Sequence, residues 1–243
     1  MPDGHTSSEW YSRTEALLGP RGVGKLRGAR VLIAGIGGVG GYAAETLVRS
    51  GIGELTIVDA DSVAPSNLNR QLIALHSTLG RSKVEAAAER YLDINPDCRI
   101  NPCRLFLTPD NIAGLQLSGY DFVADCIDTV APKVALLRTC LDAKVPVISS
   151  MGAGGRTDPA RIIYSTLWET REDGLARAVR AAFKKTGTRP RLPVVCSTEA
   201  PVRPALLMVE EQGKRSSFGT SATVPAIFGL YMANYIILKI ANS

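Results

Sequence analysis

The stretch AGIGGVGGYAAE, beginning at Ala34, constrains this chain more than any other. It follows a short apolar run, ARVLI, and opens into GGYAAETLVRSG, whose spacing is helical and which stops at Gly51. A strand that turns through glycines straight into a helix is the layout of a nucleotide site. One glycine makes the tight turn, one lets the backbone approach phosphate, and one lets the helix pack closely on the strand. Gly35, Gly37, Gly38 and Gly40 are the glycines of this turn. The helix behind them aims unpaired N–H groups and a partial positive charge at an anion. The turn alone does not choose between the pyrophosphate of a nicotinamide cofactor and an ATP that is split.

The chain keeps the same rhythm downstream. ELTIVDAD reads as a strand, and GRSKVEAAAERYLDIN as a helix that stops before Pro96. CRINPCRLFL is a weaker strand, with Pro102 suggesting a sheet edge. YDFVADCID is a strand, PKVALLRTCLDAK a helix and VPVISSMG another strand. This alternation predicts an α/β fold: a Rossmann-like, doubly wound, mainly parallel sheet with helices on both faces. Past Gly155 the rhythm changes to a strand (ARIIYSTLWE), a basic helix (EDGLARAVRAAFKK), a loop (TGTRPRLP), a strand (ALLMVEEQ) and a C-terminal helix from Val224 to Ala241. We expect one domain over residues 1–243, frayed over 1–10, with 156–243 completing the sheet and forming a substrate-facing, dimer-packing wall.

Apolar and charged fractions of 45% and 21% are those of an ordinary soluble protein, and the net charge of +5 is mild. The C-terminal apolar segment carries Pro225, Asn234 and Lys239, which favours a buried or dimer-packed helix over a membrane span, so no stable membrane insertion is expected. Five cysteines, Cys98, Cys103, Cys126, Cys140 and Cys196, include no C-x-x-C pair. With no secretory signal, the expectation is a cytoplasmic protein that has neither a disulfide framework nor zinc.

The choice of nucleotide rests on the neighbours of the turn. Asp59 closes the second strand, where a carboxylate receives ribose hydroxyls. Downstream stand two cations, Arg70 and Lys83. A triphosphate needs side-chain cations at its outer phosphates, whereas a pyrophosphate is largely satisfied by the helix N-terminus. The fourth strand ends DCIDT, which puts Asp125 and Asp128 at the carboxyl edge of the sheet, where one carboxylate suits a Mg²⁺ bridging phosphates.

Together GIGGVGG, DADSVAPSNLNRQ, GRSKVEAA and DCIDTVAPK resemble the ThiF/MoeB/ubiquitin-activating superfamily, whose members adenylylate carboxylates. The resemblance implies that Asp59 holds the ribose and places Asp61, which on its residue type alone also reads as a loop former, in the ATP site. It gives the phosphates to Asn69, Arg70 and Lys83, and the metal to Asp128. The N-terminal YSRT resembles that family's YxRQ, implying that Arg13 reaches the ATP of a partner subunit in a homodimer; the arginine common before it is Trp10 here. Downstream, SSMGAGGRTDPARIIYSTLWETREDGLARAVRAAFKK, CSTEAPVRP and SSFGTSATVPAIFGL resemble the tRNA threonylcarbamoyladenosine dehydratase branch. That implies ATP-driven cyclisation of threonylcarbamoyladenosine at position 37 of tRNA. Arg177, Arg180, Lys184, Lys185, Arg189 and Arg191, with no acid from Leu175 to Leu192, would then contact RNA phosphates.

Several readings stay open on the residues alone. The basic cluster also fits a solvated helix face. Asn67 is either a turn former or a site residue, and Arg81, Glu85 and Glu89 read as surface. MGAGG, from Met151, is either a substrate-admitting backbone or a tight chain reversal. Cys196 is the tempting thiol, but no neighbour in sequence lowers its pKa; Cys126 reads as core, His5 as tail and His76 as loop. A monovalent cation ordering SSMGAGG and a cysteine-desulfurase or sulfur-acceptor partner are further alternatives. Other functions to weigh are activation of a ubiquitin-like or sulfur-carrier protein, an NAD oxidoreductase and a non-catalytic scaffold.

Overall fold

Alternate residues of the first strand bury on opposite sides of the sheet. In β1 (Arg30–Ala34) of the computed structural model, which describes residues 9–202, 206–211 and 214–243, Val31 and Ile33 enter one apolar cluster and Leu32 and Ala34 a second. The first cluster lies under α1 (Ser12–Gly28), α2 (Gly40–Arg49), α3 (Lys83–Ile94) and α6 (Thr223–Ala241). The second lies under α4 (Val130–Asp142) and α5 (Gly174–Lys185). Each fully buried Leu, Ile or Phe side chain contributes roughly 1.5–3 kcal/mol by leaving water, so the two clusters carry most of the drive for folding.

Seven strands form the main sheet in the order β3-β2-β1-β4-β5-β7-β6. β1 pairs in parallel with β2 (Glu54–Val58) on one side and β4 (Phe122–Asp125) on the other, with Ile33 opposite both Ile57 and Ala124. β3 (Arg99–Cys103) is an edge strand, which spares the ladder the donor that Pro102 lacks. β5 (Val147–Ser150) and β7 (Pro193–Ser197) continue the parallel run, and β6 (Ile162–Thr166) closes it antiparallel to β7. The expected α/β doubly wound architecture is thus the observed one. A separate hairpin, β8 (Leu206–Glu211) with β9 (Lys214–Phe218), holds the strand expected in ALLMVEEQ. His5 and the expected frayed start up to residue 8 lie outside the described residues.

The strand order reverses between β1 and β4, and a crevice at the carboxyl ends of strands opens at such a switch point. The glycine turn leaves β1 there and the Asp128 loop leaves β4, so the fold brings the two motifs together. Helix α6 has the length and apolarity to cross a membrane, yet it is packed inside this fold against α2 and α1, with Phe228, Met232 and Ile236 fully buried. Helix α1 was not expected from the sequence: it is two helical segments joined across a kink at Gly19, whose φ is 72°, with Pro20 directly after it.

Candidate functional site

The glycine turn is held from both sides of the switch point. Gly35 N–H donates to the Val58 carbonyl at 2.8 Å, and a Cβ on Gly35 would press the Cys126 carbonyl oxygen at 3.0 Å. Gly40 starts α2 so close to the turn that a Cβ there would sit 1.8 Å from the Gly35 oxygen. Gly37 and Gly38 face other neighbours: Gln71 Nε2 lies 3.9 Å from a Cβ position on Gly37, and Arg70 Cγ 3.4 Å from one on Gly38. Arg70 therefore stands beside the turn, its guanidinium donating to the Ser66 carbonyl (2.8 Å) and to Asn69 Oδ1 (3.0 Å). Asn69 Nδ2 donates to the Thr220 carbonyl at 2.9 Å, which ties this loop to the segment leading into α6. Asn67 makes the turn itself, its Oδ1 accepting from Ala64 N–H at 3.0 Å.

Asp59 links the turn to Lys83. Its Oδ2 accepts from Ile36 N–H at 2.7 Å, inside the glycine turn, and its Oδ1 from Asp61 N–H at 2.9 Å. Burial raises its pKa above the usual carboxylate value, against the opposing pull of Lys83 and those two N–H groups. Lys83 Nζ donates to Asp61 Oδ2 at 2.7 Å and lies 3.9 Å from Asp59 Oδ1. Its place is set by backbone: Lys83 N–H donates to the Asp61 carbonyl, and Val63 N–H to the Arg81 carbonyl. Lys83 is thus a buried group at the start of α3, not a solvated face. Arg81 and Glu89 pair with each other on the surface.

The two carboxylates after β4 have separate surroundings. Asp125 is fully buried, with its Oδ2 2.5 Å from Lys133 Nζ and 2.5 Å from Ser149 Oγ. Asp128 is exposed on the loop before α4. Of the pair, only Asp128 can face a ligand, and one carboxylate completed by phosphate oxygens and water is a donor set that suits Mg²⁺. Among the described residues no group of three or more His, Cys, Asp or Glu could hold a metal.

Past β5 the MGAGG segment is a tight reversal, with Gly154 and Gly155 packed on Phe218. The carbonyls of Gly152, Glu172 and Glu199 converge on the buried Arg156 guanidinium. Arg177, Lys184, Lys185, Arg189 and Arg191 are exposed, and Arg189 stacks on Trp168, 5.0 Å from the ring centroid. Arg180 differs: its guanidinium turns inward to the Leu167 and Thr170 carbonyls and the Thr170 hydroxyl. Burial pushes the Cys196 thiol up to about 11, far from a thiolate at neutral pH. Cys126 is half-buried just past β4, and His76 lies exposed in a short 3-10 turn. Arg13 is exposed in the first turn of α1.

Sequence reading passed over three residues in or near this site. Gln71 is buried against the turn, its Oε1 without a hydrogen-bond partner among the described residues. The other two, Lys133 and Arg156, are buried cations whose only sequence signal is the presence of acids or glycines a short way off.

The ThiF family model matches residues 11–243. The chain belongs to the ThiF family. It is 36% identical over 238 residues to the tRNA threonylcarbamoyladenosine dehydratase of Bacillus subtilis (strain 168), covering 95% of this chain and 94% of that protein. It is 38% identical over 254 residues to the enzyme of the same description from Escherichia coli (strain K12), covering 96% and 95%. The crystal structure of the E. coli tRNA N6-threonylcarbamoyladenosine dehydratase in complex with ATP superposes with a TM-score of 0.89 at 36% identity, covering 97% of this ThiF-family chain and 95% of that one.

Proposed function

We propose that this chain is an ATP-dependent tRNA-modifying enzyme that adenylylates the carboxylate of N6-threonylcarbamoyladenosine at position 37 of tRNA and drives its cyclisation. The observation that carries this reading is the meeting of the glycine turn, Asp59, Lys83 and Arg70 at the switch point of a ThiF-family sheet, where a triphosphate finds both backbone N–H groups and cations. The substrate carboxylate oxygen attacks the α-phosphorus and pyrophosphate leaves. A urea nitrogen or oxygen of the same modified base then attacks the acyl carbon, and AMP leaves with the former carboxylate oxygen, so the nucleoside loses one water. The second step is intramolecular and gains from proximity, which removes the need for a protein nucleophile and accords with the buried state of Cys196.

The turn and Asp59 orient the nucleotide, and Asn69, Arg70 and Lys83 bind its phosphates. Asp128 would hold the Mg²⁺, which offsets triphosphate charge when bound. Arg177, Lys184, Lys185, Arg189 and Arg191 bind tRNA phosphates. The enzyme works as a homodimer in which Arg13 reaches the partner subunit's ATP. The exposed Ile163, Tyr164, Leu230 and Leu238, which flank hollows of about 500 and 640 Å³ between β6 and α6, are the kind of apolar surface a two-fold interface covers. Five free cysteines support a cytoplasmic setting.

The test is AMP release from ATP and Mg²⁺ with each candidate substrate. Release that requires threonylcarbamoylated tRNA supports the reading. Release that requires instead a small carrier protein ending in Gly-Gly would replace it with protein activation by the same site.

A further inference from the structure

Among the described residues, away from the nucleotide-facing ones, the most fully closed ion pair lies beneath the loop that carries Asp128. Lys133, on the second turn of α4, and Asp125, at the end of β4, are both wholly buried and joined at 2.5 Å. All three ammonium donors are used: on Asp125 Oδ2, on Ser149 Oγ at 3.0 Å and on the Ser150 carbonyl at 2.9 Å. Ser149 Oγ in turn donates to Asp125 Oδ2 at 2.5 Å. A buried pair this complete is rigid, because any movement of the helix would leave a charge without its partner.

The free end of the carboxylate faces the loop. Asp125 Oδ1 accepts from Ile127 N–H at 3.1 Å, one residue before Asp128, and Cys126 N–H donates to the Ala34 carbonyl at 2.9 Å. The Cys126 carbonyl lies against Gly35. The loop is therefore fastened on one side to the glycine turn and on the other, through Asp125, to Lys133 and β5. A carboxylate that meets a metal needs its backbone fixed in this way if its distance from the phosphates is to be constant.

We propose that Lys133 is a positioning residue: acting through Asp125, it holds the Asp128 loop at a fixed distance from the phosphate-binding turn and thereby sets the Mg²⁺ dependence of ATP binding. This rests on the nucleotide reading of the site given above.

The test is calorimetric titration of ATP into the full chain, with Mg²⁺ and with EDTA. Lys133→Met alone strands a buried carboxylate, so the informative variant is Lys133→Met with Asp125→Asn, which removes both charges and leaves an amide able to serve Ile127 and Ser149. The expected result is ATP affinity in EDTA close to wild type, with the Mg²⁺-dependent tightening reduced by about tenfold or more. If the double variant fails to melt cooperatively, Ser149→Ala, which removes one shared partner and leaves the ion pair, is expected to show a smaller loss in the same direction. A folded variant with the wild-type Mg²⁺ response overturns the proposal while leaving the nucleotide reading intact. Wild-type protein that binds no ATP overturns both.

Discussion

Lys83 Nζ lies 2.7 Å from Asp61 Oδ2 and 3.9 Å from Asp59 Oδ1, so one buried ammonium is shared between the two carboxylates that follow β2. The Asp61 side chain is 64% exposed while that of Lys83 is 6% exposed. An exposed partner is one that a phosphate oxygen can replace without uncovering the lysine. Lys83→Met is therefore expected to lower kcat/KM for AMP formation by about 10²–10³, the scale for losing a positioned charge at a reacting group. Asp61→Asn, which loosens only the exchangeable partner, is expected to cost less. Steady-state kinetics on both variants checks the order, and equal losses would contradict it.

Glycines of the turn separate into two kinds by what a methyl group would meet. At Gly40 it would strike the Gly35 oxygen at 1.8 Å, so Gly40→Ala is expected to destabilise the protein by about 3 kcal/mol or more. At Gly37 the nearest atom among the described residues beyond its chain neighbours is Gln71 Nε2 at 3.9 Å, so Gly37→Ala is expected to keep its melting temperature while losing ATP affinity, because the ligand would be crowded. Thermal melts with and without Mg-ATP distinguish the two.

Charge reversal at Arg177, Lys184 and Lys185 together is expected to weaken tRNA binding and to lower the slope of log affinity against log salt by about 0.7–0.9 for each phosphate that is no longer neutralised. Arg180→Ala should behave otherwise. Its guanidinium serves the Leu167 and Thr170 carbonyls, so its loss is expected to cost about 1–3 kcal/mol of stability and to leave the salt slope unchanged. Filter binding across a salt series, beside denaturant melts, reads both.

Cys196→Ala is expected to turn over as the wild type does, and alkylation at neutral pH to leave the folded enzyme active. Cys196 is 2% exposed, and burial pushes its thiol up to about 11. Loss of turnover in a variant that melts normally would give the thiol a catalytic part.

Much of this was legible in the chain because the motifs are local. The run ARVLIAGIGGVGG states a strand, a turn and a helix start in one short stretch, and Asp59 and Lys83 stand at the ends of elements whose periodicity is plain. Helix α1 was hidden because Gly19, Pro20, Gly22 and Gly24 argue against a helix, and tertiary contact decides it: Val23 and Leu26 bury in the core, and a Cβ on Gly22 would meet Ala241 of α6 at 3.3 Å. Lys133 was hidden for a different reason. PKVALLRTCLDAK reads as a helix with an ordinary surface lysine until β4 and β5 place Asp125 and Ser149 against it. Arg180 sits in a run of cations that sequence treats alike, and only the path of residues 167–170 draws it inward.

The central claim is a chemical one, and mass spectrometry of nucleosides tests it most directly. Threonylcarbamoylated tRNA would be incubated with the purified protein, ATP and Mg²⁺, then digested gently and compared with a reaction lacking ATP. The account predicts that threonylcarbamoyladenosine loses the mass of one water only when ATP is present. An unchanged nucleoside, from folded protein that binds Mg-ATP, would contradict it.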